Sequence, residues 1–469
     1  MWGRLSAQCH LVFCIQNIRS SLCLRVNACE ISPVFDLYGR WIVSSGVLDQ
    51  IQEQVGMRSR RGIYSLVVVL WLMIWQRLQP HGTMSHAVRQ LVQGGSCSLL
   101  SSCKRVRESR ISQAAGGYCQ GIQKMPKLVP QLVTRDVVAR LSEQLGEPWP
   151  GLAGPVYVMD GSTLLLPHTR KLAKAYPPGN NQHGPGHWPI IRLVVLHDVS
   201  NGLALYPKWG PLNGERAVSE QALAAQALDL LPEGATVIAD RNFGVFSVGW
   251  EIAQRHRGLI VRLTEVRAKK LLGGVISQEG DYRVQWQASR WDKPQATPWP
   301  EGATLEGRLI AVRVGRGKSK QWLYLFTTLS RPIDQVVAIY GKRWNIETDL
   351  RSLKRTVQLQ QIRSRSVDGL EKELLTAICA YNLVRAVMCL AARRSGIPAR
   401  RLSFSQSLDV VNGAWPRLAT ARTREAYEAE FEQVLDWIAA NKLPNRTKTR
   451  RYPREVWGRG YHFPTRKTK

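Results

Sequence analysis

Negative charge is scarce in this chain: 35 Asp and Glu stand against 65 Lys and Arg in 469 residues, a net charge of 65 − 35 = +30 with a pI near 10.2. So basic a folded chain calls for a polyanionic partner, nucleic acid first and an acidic membrane surface second. Long apolar runs are also lacking. The longest, Ile63 to Trp75, is too short to span a bilayer and runs into Gln76 and Arg77, so no transmembrane helix and no membrane partner are predicted. Paired cysteines are missing too. The nine cysteines are odd in number, show no C-x-x-C spacing and follow no secretory signal, because Arg4, Gln8 and His10 interrupt any apolar leader. Free thiols in a reducing cytoplasm are expected, which excludes a disulfide framework.

What is present is enough apolar residue, 44%, for two or three cores. Residues 1–57 show little periodicity and read as a leader. Helical patterns at 63–79, 85–93 (Ser85 as N-cap) and 132–145 make 58–150 a helical N-terminal, DNA-binding domain that ends at GEPWPG. It contains the basic cluster Lys104, Arg105, Arg107 and Arg110. From 151 to 263 the pattern changes to strands. Val156 to Met159 delivers Asp160, a Gly-Ser turn and the run TLLLP follow, then come strands at 190–196 and 203–206, a helix at 219–231, a strand at 236–239 delivering Asp240, and a fifth strand at 259–263. This order is that of a ribonuclease-H-like α/β core, with the first and fourth strands side by side and their terminal carboxylates neighbours. Short strands over 264–335 read as an inserted β subdomain. Its turn GRGKSK is no phosphate loop, because Val312 stands where the first glycine is required. Residues 336–400 complete the core with a buried helix at 370–392, and 401–469 add a helix striped by Tyr427, Phe431, Val434, Leu435 and Ile438 and a basic, aromatic tail suited to loose phosphate contact.

The organising stretch is YGKRWNIETDLRSLKRTV, 340–357. At about 100° per residue, Tyr340, Arg343, Glu347 and Lys354 fall within roughly 60° of one another on an ideal helix. Ile346, Leu350, Leu353 and Val357 supply the docked stripe beside them. A carboxylate among two cations and an aromatic suits a metal beside a nucleic-acid backbone; a solvated face of ordinary ion pairs is the alternative. Asp160, Asp240 and Glu347 together offer the oxygen ligands that two divalent cations take.

MDGSTLLLP around Asp160, IADRNF around Asp240, and the Y-x2-R-x3-E-x6-K spacing at Tyr340, Arg343, Glu347 and Lys354 resemble the signature blocks of bacterial DDE transposases of the insertion-sequence-four family. NGE at Asn213 to Glu215 and YPR at Tyr452 to Arg454 are weaker matches, and the resemblance runs from about Arg60 to the C-terminus. It implies a cut-and-paste enzyme that binds terminal inverted repeats, pairs two ends as a homodimer and cuts and joins double-stranded DNA with two Mg²⁺ or Mn²⁺ ions. In that scheme Asp160, Asp240 and Glu347 hold the metals, Arg343 and Lys354 hold phosphates, and Tyr340 packs against the end nucleotide. Some family members hold a flipped base on an aromatic residue of the insertion, for which Trp286, Trp291, Trp299 and Trp322 are candidates. A ribonuclease-H-like nuclease that only hydrolyses, and a catalytically silent DNA-binding descendant, are the alternatives.

Overall fold

The β-prone run VYVM opens Val156–Leu165 (β1), the third strand of an eight-stranded sheet. The computed structural model describes residues 47–56, 62–80, 82–93, 110–181, 184–315, 320–421 and 423–444. The remaining strands are Ile190–Asp198 (β4), Lys208–Pro211 (β5), Thr236–Ala239 (β6), Gly258–Leu263 (β7), Gly280–Gln287 (β8), Thr304–Val314 (β9) and Gln321–Thr327 (β10). A two-residue ribbon of Asn180–Asn181 (β2) and Gly184–Pro185 (β3) lies apart. The sheet order is β5-β4-β1-β6-β7-β10-β9-β8. β1 and β6 run parallel in the register Val156↔Thr236 to Met159↔Ala239, whereas β4 pairs with β1 antiparallel.

Two sequence expectations change here. The Gly-Ser pair at 161–162 is no turn: β1 runs straight through it, with Gly161 opposite Val194 and Ser162 opposite Leu193. The third hairpin strand is 208–211, while 203–206 adds only a bridge of Ala204 to His197; the Asn382 side chain takes the N–H and the C=O of Ala204 that point away from β4 (2.8 Å each). Strands β8 to β10 continue the same sheet past β7 instead of forming a second one.

The sheet is covered on both faces. Tyr157, Met159, Val237 and Ala239 face a core shared with the helices Glu220–Ala227, Phe246–Gln254 and the long Val367–Arg394. Val158 and Ile238, one residue along, face a second core with Val336, Ile339, Tyr340, Ile346 and Leu350. The helix Val367–Arg394 is long and apolar enough to cross a membrane, yet 94% of its apolar window is packed inside the protein. It also docks Leu66–Leu78 and Leu128–Leu145 of the N-terminal helices.

The helix expected at 85–93 is Met84–Val92, capped by Thr83 rather than Ser85. Part of the expected leader is folded: Val47–Gln54 is helical and its Ile51 is buried in the core. Residues 104–107 of the basic cluster, 316–319 of the GRGKSK turn, and 445–469, including Tyr452 to Arg454, lie outside the described residues.

Candidate active site

Parallel pairing of β1 and β6, in register up to Met159↔Ala239, sets Asp160, midway along β1, beside Asp240, the residue that follows β6. Side chains alternate across a strand, so Asp160 and Asp240 follow Val158 and Ile238 onto the face that carries the Glu347 helix. Asp160 Oδ1 accepts the Gly161 N–H at 2.8 Å, and Asp240 Oδ1 accepts the Asn242 N–H at 2.9 Å. Burial pushes the Asp160 carboxyl up to about 6; the Gly161 N–H opposes the shift, Asp240 and Glu220 add to it, and Arg343 pulls it back.

The segment 340–357 is helical throughout but not one α-helix. Ile333–Gly341 is α, 342–344 is a 3₁₀ turn, Asn345–Arg351 is α again, and 352–356 is a π turn closed by Val357 N–H to Ser352 O at 2.9 Å. The apolar stripe packs as expected, with Ile346, Leu350, Leu353 and Val357 all buried. The presented stripe does not survive intact, because the tighter and wider turns break the 100° step. Glu347 is 45% exposed, and Arg343 Nη2 stands 4.0 Å from its Oε1. Tyr340 turns inward and is only 7% exposed. Its hydroxyl is buried near Arg343, Arg262 and Asp240. Lys354 Nζ donates to Ser162 Oγ (3.0 Å) and Thr163 O (3.2 Å), tying the π turn to β1 just beyond Asp160.

Asp160 and Asp240 therefore lie within each other's field, whereas Glu347 is linked to them only by way of Arg343, which also acts on Asp160. Among the described residues no three His, Cys, Asp or Glu side chains close into a metal cage. The donor set is nonetheless all oxygen, as Mg²⁺ and Mn²⁺ prefer, and the unneutralised Asp160 fits a divalent ion.

Two acids escaped the sequence reading. Asp349, not singled out there, is fully buried and accepts from Arg385 Nη2 (2.6 Å) and Arg400 Nη1 (2.6 and 2.7 Å). Its position three residues after Ile346, on the docked side, was the available signal. Glu220 heads the helix Glu220–Ala227 and accepts from Asn242 Nδ2. Of the four candidate tryptophans, Trp286 and Trp299 pack around Phe246, Trp322 stacks on Tyr324 with Arg313 over it, and Trp291 is 77% exposed beneath Arg290.

This geometry meets its class in comparison with known proteins. Residues 152–383, a span holding Asp160, Asp240 and Glu347, match the family described as transposase DDE domain. The chain thus carries a transposase DDE domain, and its likeness to an insertion-sequence-four enzyme supports a place in that family. A relative is the transposase InsG for insertion sequence element IS4 of Escherichia coli (strain K12), 28% identical over 337 residues that cover 68% of this chain and 70% of that protein.

Proposed function

We propose that this transposase binds the terminal inverted repeats of its insertion sequence and cuts and joins DNA by two-metal-ion phosphoryl transfer. The observation that carries the reading is the juxtaposition of Asp160, midway along β1, and Asp240, just past the parallel neighbour β6, on the face packed by the helix of Glu347. The strand order β5-β4-β1-β6-β7, antiparallel in its first two steps and parallel afterwards, supports a ribonuclease-H-like core.

Asp160, Asp240 and Glu347 would hold Mg²⁺ or Mn²⁺. When bound, such ions supply an activated attacking oxygen and charge stabilisation of the leaving oxygen. Arg343, over the exposed Trp344 at 5.3 Å, offers its guanidinium to a backbone phosphate of the transposon end. Lys354 holds the turn against β1 and presents its charge at the same edge, and the buried Tyr340 sets the floor on which Arg343 rests. Two such chains would pair two ends as a homodimer, acting in the cytoplasm at the nucleoid. Trp291 is the exposed ring available for stacking on an unpaired base.

The test uses labelled duplexes carrying the repeats that flank the gene, with Mn²⁺ or Mg²⁺. Cleavage and strand transfer by the wild type are expected, while Asp160→Asn, Asp240→Asn and Glu347→Gln bind ends without cutting them. Cutting retained by any variant removes that residue from the centre. Hydrolysis without strand transfer would favour the nuclease reading, and binding with no cleavage the silent one.

A further inference from the structure

Glu220 lies on the opposite face of the sheet from Asp160, yet it touches both strands that carry the aspartates. One carboxylate oxygen accepts from Asn242 Nδ2, and the Asn242 backbone N–H donates to Asp240 Oδ1 at 2.9 Å. The next residue, Gln221, donates its Nε2 to Asn242 O at 3.0 Å. Two successive side chains of one helix thus grip the turn that leaves β6. The other oxygen of Glu220 sits over Gly161, where a Cβ would fall 1.3 Å from Oε1. Only glycine fits at 161, which accounts for a residue that otherwise weakens a strand interior. The helix is fixed in turn by Ser219, whose Oγ accepts the Ala222 N–H at 3.0 Å.

We propose that Glu220 is a positioning residue of the cation-binding centre, aiming Asp240 through Asn242 and locking the Asp160-Gly161 step of β1 from below. The inference rests on the metal-dependent reading given above. Glu220 acts through its hydrogen bond and not as a ligand, since its carboxylate is committed to Asn242 and to the space over Gly161. Outer-shell partners of this kind typically change metal affinity by about 10- to 100-fold when removed.

The experiment is calorimetric titration of the full chain with Mn²⁺ at pH 7.5, with melting temperatures recorded for each variant. Glu220→Ala and Asn242→Ala should each weaken Mn²⁺ binding about tenfold. Their double variant should be no weaker than either single one, because both cut the same link. Glu220→Gln still offers an oxygen to Asn242 and should restore most of the affinity. Wild-type affinity in Glu220→Ala, or additive losses in the double variant, overturns the proposal. So does an equal loss in Glu220→Gln and Glu220→Ala, which would assign the effect to charge. Should Glu220→Ala fail to fold, Asn242→Ala and Glu220→Gln carry the test. Asp240→Ala separates the two levels: if it leaves Mn²⁺ binding intact, the centre itself is misread. If it abolishes binding while Glu220→Ala does not, only the role of Glu220 falls.

Discussion

Asp160 and Asp349 are both withdrawn from water, and their carboxyls shift in opposite directions. Burial pushes Asp160 up to about 6 with two acids, Asp240 and Glu220, adding to the shift. Burial also pushes on Asp349, but Arg400 and Arg385 outweigh it and hold that carboxyl below the usual range. Asp349 is a closed structural knot: Arg400 continues to Val199 O and Asp198 O, and Arg385 to the Tyr381 hydroxyl. It pins the inner side of the helix whose outer side carries Glu347. An acid that is buried and paired with arginines holds the fold, whereas one that is half-buried beside other acids is suited to a cation.

Breaking the paired acid should have the largest effect. Asp349→Ala leaves Arg385 buried with its charge unopposed, and a loss of about 3–5 kcal/mol is expected in urea unfolding. A loss under about 1 kcal/mol, the range of exposed pairs, would make Asp349 an ordinary surface ion-pair partner.

The unpaired acid should behave in the opposite way. The folded-state Asp160 pKa of about 6 lies above the ordinary 3.8, so the folded protein binds this proton more tightly. Its contribution to stability is present below about pH 4 and fades as pH rises through about 6. Without divalent ions, Asp160→Asn should therefore melt higher than wild type at pH 7, and the two should converge near pH 4. A lower melting temperature for Asp160→Asn at pH 7 would mean that the carboxylate already has its partner.

The smallest effect concerns Arg343, which stands at 4.0 Å from Glu347 and belongs to neither class. Arg343→Ala should lower the slope of log K against log salt for transposon ends by about 0.9, the signature of one lost phosphate contact. Cleavage at saturating DNA should also fall, because the phosphate loses its alignment. An unchanged slope and rate would leave Arg343 as an ordinary helix ion pair.

Much of the comparison was legible in the sequence. The strands delivering Asp160 and Asp240 follow from their β-branched runs, and the docked stripe of the Glu347 helix from its apolar spacing. Three features were not. Gly161 reads as a turn because the residue that demands it, Glu220, is distant in sequence and arrives from the other face of the sheet. The strand expected at 203–206 shrinks to a bridge at Ala204, whose outward backbone groups are taken by Asn382, far downstream, and not by another strand. Tyr340 was set on the exposed stripe by assuming 3.6 residues per turn, whereas the 3₁₀ and π turns around Glu347 rotate it into the core. Local pattern fixes elements and their terminal residues; partners remote in the chain decide which acids are neutralised.

The most direct measurement of that distinction is the Mn²⁺-induced shift in melting temperature of wild type, Asp160→Asn and Glu347→Gln between pH 5 and 7.5. A ligand that binds only the folded state raises its stability by mass action. Wild type should gain markedly at pH 7.5 and progressively less below about pH 6, where protons compete for Asp160, and both variants should gain little at any pH. An equal gain in all three proteins, or one that does not fade on acidification, would contradict a cation held by Asp160 and Glu347.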